Sequence, residues 1–158
     1  MSTITFIHAA DLHLGAPFKG LRASSPLWAD VLLKAIPDAY RRIIDTAIEK
    51  QVDFVVVAGD IFDDSRPSYA DFSLFASGLE RLNDAGIPVY FVTGNHDPFT
   101  SWDNGFSSLP ENAHLLGAGK PSFALYERGG EPLALIGGRG YFSQSWPAGV
   151  DISGGVSR

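Results

Sequence analysis

The chain has 158 residues, 45% hydrophobic and 19% charged; that balance excludes a disordered or fibrous protein, and the size suits one domain burying roughly two-thirds of its unfolded surface. It has no Cys, which excludes disulfide frameworks and thiolate metal sites, so a cation would have to be held by carboxylate, imidazole or amide groups. Twelve Lys and Arg against 18 Asp and Glu leave a net charge of −6, which opposes nonspecific adhesion to nucleic acid because such adhesion needs clustered positive charge.

Residues 1–13 carry no Lys or Arg before their apolar stretch and soon meet His8 and Asp11, unlike a secretory signal. No apolar run reaches membrane-spanning length. The expectation is a cytoplasmic protein with no membrane partner. Ile4 to Ala9 reads as a short buried strand that runs into polar residues at Asp11. A loop from Gly15 to Pro26 follows. Pro37 to Lys50 then reads as an amphipathic helix, with Pro at its first position and Tyr40, Ile43, Ile44, Ala47 and Ile48 on one side. Asp53 to Ala58 is a β-branched apolar run without alternation, which suits a strand covered on both faces. A second helix is predicted from Tyr69 to Ala85, stopped by Gly86. The strand Ile87 to Val92 opens into Gly94-Asn-His-Asp97. Strand and helix alternate as in a parallel sheet with helical crossovers. Beyond Pro98, candidate strands at Ser122 to Tyr126 and Leu133 to Ile136 flank the turn 127–131 as an antiparallel hairpin, the start of a second sheet. The Gly-rich tail from Val150 is expected to fray.

Three strands thus end in Asp11-Leu-His13, Gly59-Asp60-Ile-Phe-Asp63 and Gly94-Asn95-His96-Asp97. In an open parallel sheet the carboxyl ends of strands are where ligands bind. In extended backbone, residues two apart point the same way, so Asp11 and His13 can face one cation while Leu12 turns inward. Each cluster alone has a plainer explanation: a turn or capping Asp beside a surface His, a Gly-Asp turn, or an Asx-turn at Gly94-Asn-His-Asp97. Those explanations do not account for all three strand ends carrying oxygen and imidazole groups in a chain with four His.

Together the motifs resemble those of calcineurin-like metallophosphoesterases, a series D-x-H, G-D-x-x-D, G-N-H-[DE], then a single His and a G-H-x-H. The start Ile7-His-Ala-Ala-Asp-Leu-His-Leu-Gly15, with Gly59-Asp-Ile-Phe-Asp63 and Arg66-Pro67, is similar to SbcD-type DNA repair nucleases over about residues 4–140. The resemblance implies an α/β fold of the α/β/β/α sandwich type. It makes Asp11 and His13 ligands of a first metal, Asp60 the bridge between two metals, and Asn95 a ligand of the second. Two divalent cations about 3.5 to 4 Å apart need such a shared anionic oxygen, and a carboxylate supplies it. Manganese suits the donor set, with iron, zinc or magnesium as alternatives. His96 would lie over the phosphate as a catalytic group, its ring held in the correct tautomer by Asp63; Asp63 as a helix cap or solvated acid is the competing reading. His8 stands between a supporting position near the metals and a hydrogen-bonded core role, and His114 has only a structural role. Arg66 and Arg139 have the chemistry to meet phosphate, against a competing role in surface ion pairs.

The series breaks after Asp97, where His114 is the last His. The expectation is therefore that residues 1–158 form the N-terminal portion of a single metallophosphoesterase domain. Such a portion would be incomplete on its C-terminal side, poorly active by itself, and prone to homo-oligomerise through uncovered apolar sheet surface. By the resemblance, the activity is that of a phosphodiesterase on DNA ends working with an ATPase subunit. Alternatives are a hydrolase of small phosphoesters or cyclic nucleotides, and a non-catalytic relic that binds partners.

Overall fold

The structure, a computed structural model, describes residues 3–18, 20, 23, 25–102 and 109–156. In chain order the elements are β1 (Phe6–Ala9), α1 (Pro26–Lys50), β2 (Phe54–Ala58), α2 (Tyr69–Asp84), β3 (Val89–Val92), a 3-10 turn (Phe99–Ser101), β4 (Ala113–Leu115), β5 (Ser122–Arg128) and β6 (Glu131–Gly138). Strands β1 to β4 form one parallel sheet in sequential order, and β5 and β6 form a separate antiparallel pair. No helix among the described residues is long and apolar enough to cross a membrane.

The predicted strands lie where the sequence puts them, but the first helix starts at Pro26 rather than Pro37, which sits inside it. Two local signals start it early: the Ser25 hydroxyl accepts the Trp28 N–H (3.4 Å), and Pro26 occupies the first turn, where a missing N–H is no loss. The upstream periodicity was illegible because Leu27, Trp28, Val31 and Leu33 face outward. Downstream, Tyr40, Ile44 and Ala47 are buried against the sheet as expected.

The β-branched run of β2 splits between two cores. Val55 and Val57, with Val89 and Phe91 of β3, meet the helices through Ile44, Phe75, Leu79 and Leu82. Phe54 and Val56, with Tyr90 and Val92, meet Tyr126, Ala134 and Ile136 of the hairpin. The layers are therefore helices, parallel sheet, hairpin. This corrects the expectation of an uncovered sheet face: the hairpin covers it, and apolar exposure moves to the hairpin's outer side at Phe123, Leu125 and Leu135. Helix α2 approaches α1 closely because Gly78 has no side chain; a Cβ there would lie 2.2 Å from the Tyr40 hydroxyl, which donates to the Phe75 carbonyl at 2.8 Å.

At the amino edge of the sheet, Asp53 ties the layers together. Its carboxylate accepts from the Thr5 N–H (2.8 Å) and the Tyr126 hydroxyl (2.9 Å) and pairs with Arg128, which also donates to the Thr3 carbonyl.

Candidate functional site

Past the carboxyl ends of β1 and β2, the two loops continue side by side. Asp11 N–H donates to Gly59 O (3.3 Å), His13 N–H to Asp60 O (3.0 Å), Leu14 N–H to Ile61 O (2.9 Å) and Asp63 N–H to Leu14 O (3.1 Å). Leu14 and Phe62, both buried, bridge the loops from below. The backbone is not extended here: Asp11, His13 and Asp60 have φ of 52°, 46° and 47°. These are left-handed conformations, uncommon outside Gly and costing roughly 1 kcal/mol or more each. Asp11 and His13 thus share a direction by a pair of left-handed residues rather than by strand alternation.

The result is convergence. Asp11, His13 and Asp60 each offer a ligand atom, and the three atoms lie within 4.8 Å of one another. Two carboxylates and an imidazole at that separation suit one hard divalent cation. A second cluster, His13, Asp63 and His96, meets the same distance test, but its members already bond each other. The Asp63 carboxylate accepts from His13 Nδ1 at 3.0 Å, and the Asp63 backbone carbonyl accepts from His96 Nδ1 at 2.9 Å. The rings of His13 and His96 meet edge to face, with centroids 4.9 Å apart.

The Asp63 carboxylate, expected on the His96 ring, meets His13 instead. The Asp63 N–H is fixed to Leu14 O, and that turn sets the carboxylate beside His13 while only the carbonyl reaches His96. A carboxylate on Nδ1 leaves Nε2 of His13 as a free lone pair, the form a metal ligand needs. The carbonyl bond likewise holds a proton on His96 Nδ1. That bond, and after it the nearby charges of Asp60, Asp63 and Asp97, raise the His96 pKa above its usual value despite some desolvation.

The third loop is clasped onto the second by a residue to which the sequence reading gave no role. Asp97 is fully buried, and its carboxylate accepts the N–H groups of Ile61 (3.1 Å), Phe62 (3.4 Å) and Gly94 (2.9 Å). Burial pushes its pKa up to about 6, against the pull of those N–H bonds. Its carbonyl accepts from Trp102 Nε1 at 3.0 Å. The sequence shows only the acid that closes the Gly94-Asn-His-Asp97 motif, where loop N–H groups need an acceptor. Gly94 is required here because a Cβ would stand 1.9 Å from Asp60 Oδ1. Asp60 Oδ1 also accepts the His96 N–H at 3.0 Å. Asn95, between them, is exposed and lines a cleft of about 430 Å³ with Asp63 and His96.

The other candidates lie elsewhere. His8 is exposed on β1, and His114 is exposed on β4, stacked on Tyr90 with ring centroids 5.1 Å apart; neither joins a ligand cluster among the described residues. Arg139 donates to the carbonyls of Gly119, Asp151 and Gly154 and lies 4.6 Å from the Trp146 ring centre, so it fastens the C-terminal loop.

Residues 4–152 match the calcineurin-like phosphoesterase family. The chain is 35% identical over 143 residues to an uncharacterised metallophosphoesterase, YhaO, of Bacillus subtilis, covering 89% of this chain and 34% of that one. It is 37% identical over 111 residues to the DNA double-strand break repair protein Mre11 of Archaeoglobus fulgidus (70% of this chain, 23% of the relative) and 38% identical over 91 residues to that of Haloferax volcanii (58% and 19%). The chain spans about a third or less of the length of these relatives. On that family match, the chain belongs to the calcineurin-like phosphoesterase family.

Proposed function

We propose that the carboxyl edge of the sheet is the metal-bearing half of a phosphodiesterase acting on DNA. The observation that carries the reading is the convergence of Asp11, His13 and Asp60 within 4.8 Å, with His96 tied to Asp60 through its N–H. Asp11, His13 and Asp60 would hold a first divalent cation, and Asp60 together with the Asn95 amide oxygen would hold a second. Manganese fits these oxygen and imidazole donors, as iron, zinc and magnesium do to differing degrees. When bound, the cation pair polarises the phosphoryl group and lowers the pKa of an attacking water.

This chain's own residues do the rest. Asp63 keeps His13 in the ligating tautomer. His96, raised in pKa and held by the Asp63 carbonyl, faces the cleft as a proton donor to the leaving oxygen. The names of the Mre11 relatives support DNA as substrate, and the SbcD-like motifs support an ATPase partner subunit.

The test is a manganese titration followed by turnover of a chromogenic phosphodiester, made in a version carrying the relatives' remaining segment. His96→Ala should retain manganese and lose most turnover. Asp60→Ala should lose both. Manganese loss in His96→Ala equal to that in Asp60→Ala would overturn the division of roles, and a wild-type chain that binds no divalent cation would overturn the reading.

A further inference from the structure

The cleft beside His96 does not end at the metal ligands. Through Ser65 and Gln144, which line both, it runs into a second open groove of about 550 Å³ walled by Arg66, Thr100, Ser101 and Ser143. Each volume is in the range, roughly 300 to 1,000 Å³, of clefts that hold small ligands. The second groove differs from the first in sign: Asp63 and Asp64 give way to a guanidinium, hydroxyls and an amide.

Three of its donors are also uncommitted. Among the described residues Arg66 joins no ion pair, and its only bond is from its backbone N–H to Asp64 Oδ1 at 2.9 Å. The side chains of Thr100 and Gln144 likewise have no protein partner among the described residues, whereas Ser101 is spent on the Pro98 carbonyl and Ser143 on the Ser145 carbonyl. Arg66 stands unpaired only two and three residues from Asp64 and Asp63, and a planar guanidinium flanked by neutral donors is a good receptor for a phosphate.

We propose that Arg66, with Thr100 and Gln144, forms a subsite for the phosphate adjoining the one that is cleaved, so that the substrate is a polynucleotide strand and not a lone phosphoester. The proposal rests on the cation-site reading above. It makes the acids a place for one phosphate through its cations and Arg66 the place for the next, with the shared Gln144 between them. Affinity would then step up when a ligand gains a second phosphate, and it would depend on salt through Arg66.

The experiment compares manganese-loaded wild type with Arg66→Ala, Arg66→Lys and Gln144→Ala, using a fluorescein-labelled oligothymidylate by anisotropy, thymidine 5′-monophosphate by competition, and manganese by titration. In Arg66→Ala, oligothymidylate binding should weaken about tenfold, and the slope of log affinity against log salt should shrink by about 0.7, the value for one phosphate contact to a single strand. Manganese and monophosphate binding should stay as in wild type. Arg66→Lys should restore the slope, and Gln144→Ala should cost about threefold without changing it. The proposal is overturned if oligothymidylate binding is unchanged in Arg66→Ala, if monophosphate and oligothymidylate weaken equally, or if wild type prefers neither. Failure of the wild type to take up manganese would count against the cation site instead, and the same slopes measured without manganese would still decide the role of Arg66.

Discussion

The two edges of the parallel sheet use carboxylates in opposite ways. At the amino edge, Asp53 is surrounded by donors: Thr5 N–H, the Tyr126 hydroxyl and the Arg128 guanidinium. At the carboxyl edge, Asp11 and Asp60 converge with His13 and have no Lys or Arg partner among the described residues. Asp53 is satisfied by the fold and closes the hairpin onto the sheet. The acids across the sheet are gathered without being neutralised, which disfavours the fold unless a cation arrives. On the proposed reading, the donor-satisfied acid at the amino edge serves the fold, and the unneutralised pair at the carboxyl edge serves the cations.

The contrast is sharpest in metal affinity. Asp60→Ala should weaken manganese binding at least 100-fold, about 2.7 kcal/mol, while Asp53→Ala leaves it intact; calorimetric titration of the two variants would break the comparison if they behaved alike. Asp97 tests the clasp between the loops. Asp97→Ala orphans three buried N–H groups and should cost about 2 kcal/mol or more in chemical denaturation without metal, with Asp97→Asn recovering part of the loss through its one amide oxygen. A smaller effect is expected at Asp63. Removing its carboxylate frees the His13 tautomer, and manganese affinity should fall about tenfold, accompanied by a change in the His13 ring nitrogen shifts that a purely structural role would not produce.

The smallest effect belongs to the amino edge and is lost in acid. Burial raises the Asp53 pKa, but the bonds from Thr5, Tyr126 and Arg128 outweigh it and leave the carboxyl below its ordinary 3.8. A lowered folded value means the contribution to stability is complete above the ordinary pKa and is lost as pH falls through the folded one. Thermal melts of wild type and Asp53→Asn should therefore differ at neutral pH and converge below about pH 4. A gap that persists in strong acid would mean that Asp53 acts through packing rather than charge.

How much of this was legible depended on whether a feature is local. The run Phe54 to Ala58 announced a strand covered on both faces because every position is apolar and the two cores take alternate residues. The ends of β1, β2 and β3 were legible because polar residues follow abruptly. The start of α1 was not, since Pro37 mimics a helix start and the residues before it turn Leu27 and Trp28 outward. Which imidazole the Asp63 carboxylate meets was hidden for another reason. It depends on the register between the first two loops, fixed by Leu14 against Phe62, and no spacing within either loop encodes it. The role of Asp97 was hidden because its partners, Ile61 and Phe62, read as ordinary apolar residues whose N–H groups leave no trace in sequence.

The left-handed backbone at Asp11, His13 and Asp60 has a consequence for how this chain can change. At each position glycine would relieve the backbone, and at each it would delete a proposed ligand. A search for a more stable metal-free protein is thus drawn toward the substitutions that remove its chemistry, so stability gained at these three sites is the mark of a lineage giving up the cation.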